Sequence, residues 1–145
     1  MKNFSKLFGI IACVAIIGLS FVGCGGTTSS SYFTFDSAKG IITGYSGEGP
    51  KNVNIPSKIK GTPVVYIYSS ALSGKQLVSI TIPNSITEIG LDEIISGNRE
   101  TLTSITIGAN TKVLRWHAGG FWGDWDRNGR QAGTYLLSDN VWTKK

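Results

Sequence analysis

The sequence predicts a mainly β protein, with about three short units stacked into a solenoid and a β-hairpin closing each end. Three observations lead there. Residues 77–89, LVSITIPNSITEI, are restated at 102–114 as LTSITIGANTKVL, so that Leu77, Ile80, Ile82 and Ile89 recur as Leu102, Ile105, Ile107 and Leu114, each 25 residues on. Ser79 and Thr81 recur as Ser104 and Thr106 in the same way. Looking back, Val53, Ile55, Pro56 and Ile59 stand 27 residues before Ile80, Ile82, Pro83 and Ile86. Finally, apolar and small polar residues alternate within each unit, which is the mark of a strand with one buried face. One such unit cannot bury its own apolar side, whereas stacked units share a continuous core.

At the N-terminus, Lys2 and Lys6 precede an apolar run from Phe8 to Val22. That layout fits an export signal over residues 1–23. The run is shorter than the roughly 20 residues that span a bilayer. An uncleaved membrane anchor is the other reading. Phe21-Val22-Gly23-Cys24 resembles a bacterial lipobox. The resemblance implies that Cys24 becomes the first mature residue and is acylated. Gly25, Gly26 and the Thr/Ser run to Ser31 then read as a flexible tether over residues 24–31. Cys13 and Cys24 are the two cysteines, and both lie in or beside the signal, so the mature domain is expected to hold no disulfide and no cysteine metal site.

The chain carries 14 basic and 9 acidic residues. Without Lys2 and Lys6 the balance is 12 − 9 = +3. The basic residues are scattered through the sequence, which argues against a nucleic-acid partner.

Residues 32–49 contain two β-rich runs, Tyr32 to Phe35 and Ile41 to Tyr45, separated by the turn-forming Asp36 to Gly40. A hairpin that covers the first repeat follows, since terminal units of a stack need a cap.

Residues 50–114 hold the repeats. In Leu77-x-x-Ile80-x-Ile82 the two isoleucines face one side, with Ser79, Thr81 and Pro83 on the other. Pro83 removes a backbone donor and helps to end the strand. Asn84-Ser85 turn the chain, and Ile86 and Ile89 return to the core. The unequal offsets are explained by insertions. Ile55 to Ile67 is 12 residues and Ile82 to Ile89 is 7, so the first unit has five extra around Lys60-Gly61-Thr62-Pro63. Leu72 to Leu77 is 5 and Ile94 to Leu102 is 8, so the second has three extra around Gly97-Asn98-Arg99. Removing them leaves 27 − 5 = 22 and 25 − 3 = 22, a common period, with the insertions expected on the outer side.

Ile82-Pro-x-x-Ile86-x-x-Ile89-Gly90 followed by a Leu-x-x-Ile-x-Ile strand resembles the BspA-type (treponemal) leucine-rich repeat. Asn52 to Ile67 is similar to the first repeat of such proteins. The resemblance covers residues 41–114 and departs in places. Ala71-Leu72 and Glu93-Ile94 replace the family's Ala-Phe, Gly108 replaces a proline and Thr111 replaces an apolar residue. It implies a leucine-rich-repeat fold, a lipid-anchored protein of the bacterial envelope (outer membrane or cell surface), and contact with a protein partner, including adhesion to host or neighbouring-cell proteins. The strand face opposite the core carries Asn52, Asn54, Ser79, Thr81, Ser104 and Thr106. It reads either as a binding face or as a solvated sheet surface.

Residues 115–145 change composition. All four tryptophans lie here, interleaved with glycine. Thr134 to Leu137 and Val141 to Thr143, joined by Ser138-Asp139-Asn140, read as a second capping hairpin. Trp122 and Trp125 form the candidate exposed platform, for a carbohydrate or a protein. Asp124-x-Asp126-x-Asn128-Gly129 copies the first half of a calcium loop, but Ala132 and Tyr135 occupy the later ligand positions, so a polar turn is the better account.

No catalytic arrangement emerges. His117, the single histidine, has no spaced carboxylate or cysteine partner, and no phosphate loop or dinucleotide fingerprint is present. Neither a metal nor a cofactor is expected. The sequence therefore points to non-catalytic binding. A carbohydrate module using Trp122 and Trp125, and a structural envelope lipoprotein without external ligand, are the alternatives.

Overall fold

The chain is mainly β. The structure is a computed structural model, and it describes residues 26–114, 121, 124, 129, 131–139 and 141–145. In chain order, the first elements are a 3-10 turn at Ser30–Tyr32, β1 (Phe33–Asp36), β2 (Ile41–Tyr45), β3 (Asn52–Asn54), β4 (Lys58–Ile59), β5 (Thr62–Pro63) and β6 (Tyr66–Ile67). Then come α1 (Ser69–Leu72), β7 (Ser79–Thr81), β8 (Glu88–Gly90), α2 (Asp92–Gly97), β9 (Ser104–Ile107), β10 (Lys112–Leu114), β11 (Gly133–Ser138) and β12 (Val141–Lys144).

Ten of these strands form two five-stranded sheets, β1-β2-β6-β8-β10 and β12-β11-β9-β7-β3, while β4 and β5 make a separate ribbon. Each repeat thus contributes two strands where the alternation predicts one, with the isoleucine that returns to the core forming a strand of its own. Within the sheets β2, β6, β8 and β10 run parallel, and so do β3, β7 and β9. The hairpins sit at opposite ends. β1–β2 ends the first sheet and β11–β12 ends the second, with β11 antiparallel to β9.

Register turns the repeat into a core. Val53, Ile80, Ile105 and Tyr135 fall in one row across the second sheet. Ile42, Ile67, Ile89 and Val113 make the matching row of the first. All are buried. Burying one isoleucine side chain stabilises the fold by about 1.5–3 kcal/mol, which is what fixes this register over its one-residue slip. The insertions behave differently from each other. The five residues around Lys60-Gly61 make the β4–β5 ribbon, with Lys60 and Gly61 at φ 48° and 83° in its turn. Of the three around Asn98, Gly97 and Arg99 are exposed as expected, but Asn98 turns inward. Asn98 is buried, accepting from the N–H groups of Lys75 and Leu77 (3.0 and 3.1 Å) and donating to the carbonyls of Leu72 and Ile94 (2.8 and 2.7 Å). One amide therefore satisfies four backbone groups where the two units meet. Gly108, which stands where the repeat has proline, is needed for close approach, because a Cβ there would lie 2.8 Å from the backbone nitrogen of Asn84.

The first end departs from expectation. The segment predicted to be a flexible tether, in its described part 26–31, is laid against β3. Thr28 is buried, its N–H donates to the Asn54 carbonyl (2.8 Å), and its Oγ1 accepts from the Asn54 N–H (2.9 Å). The Asn54 side chain donates to the Gly26 carbonyl at 2.9 Å. These bonds cover the outer edge of β3, whose open backbone groups would otherwise need water or a partner. Nearby, the Tyr45 ring packs on Phe33, and its hydroxyl donates to the Pro50 carbonyl (2.7 Å). Burial, then the neighbouring Tyr32, pushes this phenol up to about 12.

At the last end Phe121 meets Tyr135 and Trp142 edge-on, with ring centroids 5.5 and 5.3 Å apart. The buried Asp124 accepts from the Trp142 backbone N–H at 2.6 Å. This carboxylate is turned inward onto β12; Asp126 and Asn128 of the same motif lie outside the described residues.

Candidate interaction surface

The surface is made by the outward residues of β3, β7 and β9. Parallel pairing places Asn52, Ser79 and Ser104 in one row, and Asn54, Thr81 and Thr106 in the next. The same alternation that sends Val53, Ile80 and Ile105 inward sends these six outward. All six keep some solvent exposure, Asn52 the most. Neighbouring strands lie about 4.8 Å apart, so each row is a ladder of small polar groups at that spacing.

The hydroxyls and amides bond along the rows. Ser79 Oγ donates to Asn52 Oδ1 at 2.9 Å. Thr106 Oγ1 and Thr134 Oγ1 are 2.9 Å apart. Asn54 also ties down the N-terminal strap, so it is partly withdrawn from any external ligand. The six carry no charge. Their hydroxyls face amide oxygens, other hydroxyls or water, with no base set to activate them as nucleophiles. The chemistry on offer is hydrogen bonding from a flat, rigid sheet.

The surface also extends further than the six residues. Antiparallel pairing puts Leu136 beside Ser104 and Thr134 beside Thr106, and Thr143 of β12 lies next to Leu136. Leu136 and Val141 are 43% and 46% exposed. The polar rows thus run into an apolar margin on the C-terminal hairpin. Reading the 134–143 hairpin as a cap, with the exposed platform sought at Trp122 and Trp125, missed this. The signal was present in Thr134-x-Leu136-x-Ser138, which alternates with the inward Tyr135 and Leu137.

Cys24, Trp122 and Trp125 lie outside the described residues, as do Trp116, His117, Asp126 and Asn128. Among the described residues no group of three His, Cys, Asp or Glu could hold a metal, and no helix is long and apolar enough to cross a membrane.

Comparison with models of protein families and with curated proteins gives no match. Among solved structures the chain is similar to a T. pallidum leucine-rich repeat protein, at 26% identity over 61% of this chain, with a TM-score of 0.48. The chain spans 42% of the length of that protein.

Proposed function

We propose that this chain is a short leucine-rich-repeat solenoid of the BspA type, with about three units closed by a hairpin at each end. It is lipid-anchored through Cys24 to a bacterial envelope and acts without catalysis, by binding a protein partner on a host or neighbouring cell. The observation that carries this reading is the in-register polar face. Two rows of uncharged side chains on a rigid sheet, bordered by Leu136 and Val141, give hydrogen bonding beside an apolar contact. That pairing of a polar area with apolar anchors is what protein interfaces use. The sequence supports the address, through Lys2 and Lys6, the apolar run and Phe21-Val22-Gly23-Cys24.

The test has two arms. Protease added to intact cells should digest the wild-type domain, and Cys24→Ser should release it into the medium. Protection until the outer membrane is broken means an inward-facing protein and rejects adhesion. In the second arm, Thr81→Arg with Thr106→Arg should lower cell adhesion at least tenfold while leaving the melting curve unchanged. Unchanged adhesion rejects this face as the binding surface.

A further inference from the structure

We infer that the first end of the molecule docks onto an anionic phospholipid surface. This face is bounded by the 26–32 strap, the β1–β2 turn and the β4–β5 ribbon, and the inference rests on the reading of Cys24 as the anchor.

The strap removes the freedom that a lipid tether normally gives. Gly26 is held by Asn54, and Thr28 is bonded into the edge of β3. One residue, Gly25, separates Cys24 from Gly26, so the two lie at most ~7 Å apart when fully extended. A domain acylated at Cys24 therefore cannot swing clear of the bilayer. The edge of β3 and the elements beside it are held among the headgroups.

Those elements are basic. Residues 26–76 carry Lys39, Lys51, Lys58, Lys60 and Lys75 against Asp36 and Glu48, 5 − 2 = +3, whereas residues 77–145 carry 7 basic and 7 acidic residues, 7 − 7 = 0. The whole excess charge of the mature chain thus lies in the half next to the anchor. Lys39, Lys58 and Lys60 are exposed. The turns that carry them are locked together, since the Val65 N–H donates to the Gly40 carbonyl at 2.9 Å. A Cβ at Gly40 would lie 2.7 Å from the Pro63 carbonyl oxygen, and Gly40 has φ +71°, so glycine is needed for this contact. Asp36 pairs with Lys39 at 3.7 Å, and Lys58 and Lys60 make no ion pair among the described residues. Lys60 also lines a groove of about 470 Å³ with Phe33, Phe35, Ile59, Ser30 and Ser37. The groove sets the Lys60 ammonium beside an apolar floor with serine hydroxyls in its lining, and the exposed Lys39 and Lys58 lie on the adjoining turn and ribbon, an arrangement that matches a phosphodiester headgroup above its acyl chains. Each lysine brought to an anionic surface strengthens binding by roughly fivefold, and the effect is screened by salt.

The experiment places the full-length acylated chain on phosphatidylcholine vesicles with and without phosphatidylglycerol. Neither lipid has an amine that can be acylated, choline being a quaternary ammonium. Exposed lysines are then acylated briefly and read by mass spectrometry. Lys58 and Lys60 should react several-fold more slowly on the anionic vesicles, Lys112 and Lys145 should react equally on both, and high salt should abolish the difference. Lys58→Glu with Lys60→Glu should leave vesicle association intact and erase the protection at Lys39. Equal reactivity of every lysine on both vesicles, with the chain still bound, overturns the docking and leaves the anchor standing. A Cys24→Ser chain that floats with vesicles as well as wild type removes the anchor reading, and lysine protection on the anionic vesicles then still supports the docking. A chain that floats with neither vesicle overturns both.

Discussion

The two ends of this molecule solve one problem with different chemistry. Each end leaves backbone edges and an apolar row that must be covered. At the first end, β1 and β2 extend one sheet, and the edge of β3 in the other sheet is closed by polar bonds from Thr28 and Asn54. At the last end, β11 and β12 extend the second sheet, and the cover is aromatic, with Phe121, Tyr135 and Trp142 packed edge-on. The difference is one of energy density. Aromatic burial is worth several kcal/mol per side chain, whereas a hydrogen bond exchanged with water nets about 1 kcal/mol. The aromatic packing of the last end is thus a stabilising element in its own right, as is that of Phe33 and Tyr45 at the first, where the strap adds a smaller polar fastening of the β3 edge.

The sharpest way to break the comparison is to remove one residue from each end. Tyr135→Ala should cost about 3–5 kcal/mol in urea unfolding, because Tyr135 is fully buried in the row with Ile105. Phe33→Ala, on the edge strand β1, should cost less. Equal losses would mean that both ends depend on packing alone.

Alkali separates the ends next. The Tyr45 phenol is raised to about 12 in the folded chain by burial and by Tyr32, from an ordinary value of 10.0. Below pH 10 both the folded and unfolded forms keep the proton, and the group adds no pH dependence. Between pH 10 and 12 the unfolded chain ionises first, so stability should fall by about 1.4 kcal/mol per pH unit. Tyr45→Phe should flatten that slope, and an unchanged slope would place the alkaline sensitivity elsewhere. At the last end, Asp124→Ala leaves the Trp142 N–H unpaired and should cost about 1–3 kcal/mol, read by thermal unfolding at neutral pH.

How much of this was legible follows from which signals have a period. The rows through Ile80 and Ile105, and the outward Ser79, Thr81, Ser104 and Thr106, were readable because strict alternation fixes facing. The second strand of each unit was not, since Tyr66–Ile67 and Glu88–Gly90 are too short to show alternation. The helices at Ser69–Leu72 and Asp92–Gly97 escaped notice for the same reason, and neither has a side-chain cap to mark its start. Asn98 looked like loop composition, because nothing in the sequence shows that its amide meets four backbone groups of two units. On the candidate surface, six positions were readable from the repeat. The apolar margin at Leu136 and Val141 depends on β11 pairing with β9 in a register that no repeat encodes.

The strap is the smallest effect and the finest test of the comparison. Its composition, Gly-Thr-Thr-Ser-Ser, reads as a flexible linker, yet Thr28 is placed so that one hydroxyl takes the Asn54 N–H. Thr28→Val keeps the shape and the backbone bond but removes the acceptor. It should cost about 1 kcal/mol and speed amide exchange at Asn54 by roughly tenfold, without changing exchange at Ile105. Thr81→Val, whose side chain serves no backbone group in the sheet, should change global stability by less than about 0.5 kcal/mol. If Thr28→Val leaves Asn54 exchange unchanged, the edge of β3 is held by the backbone bond alone. If it accelerates exchange in Val53 and Ile80 as well, the strap belongs to the core and not to its rim. The expected outcome, faster exchange confined to Asn54, makes the first end a local fastening on an otherwise independent stack.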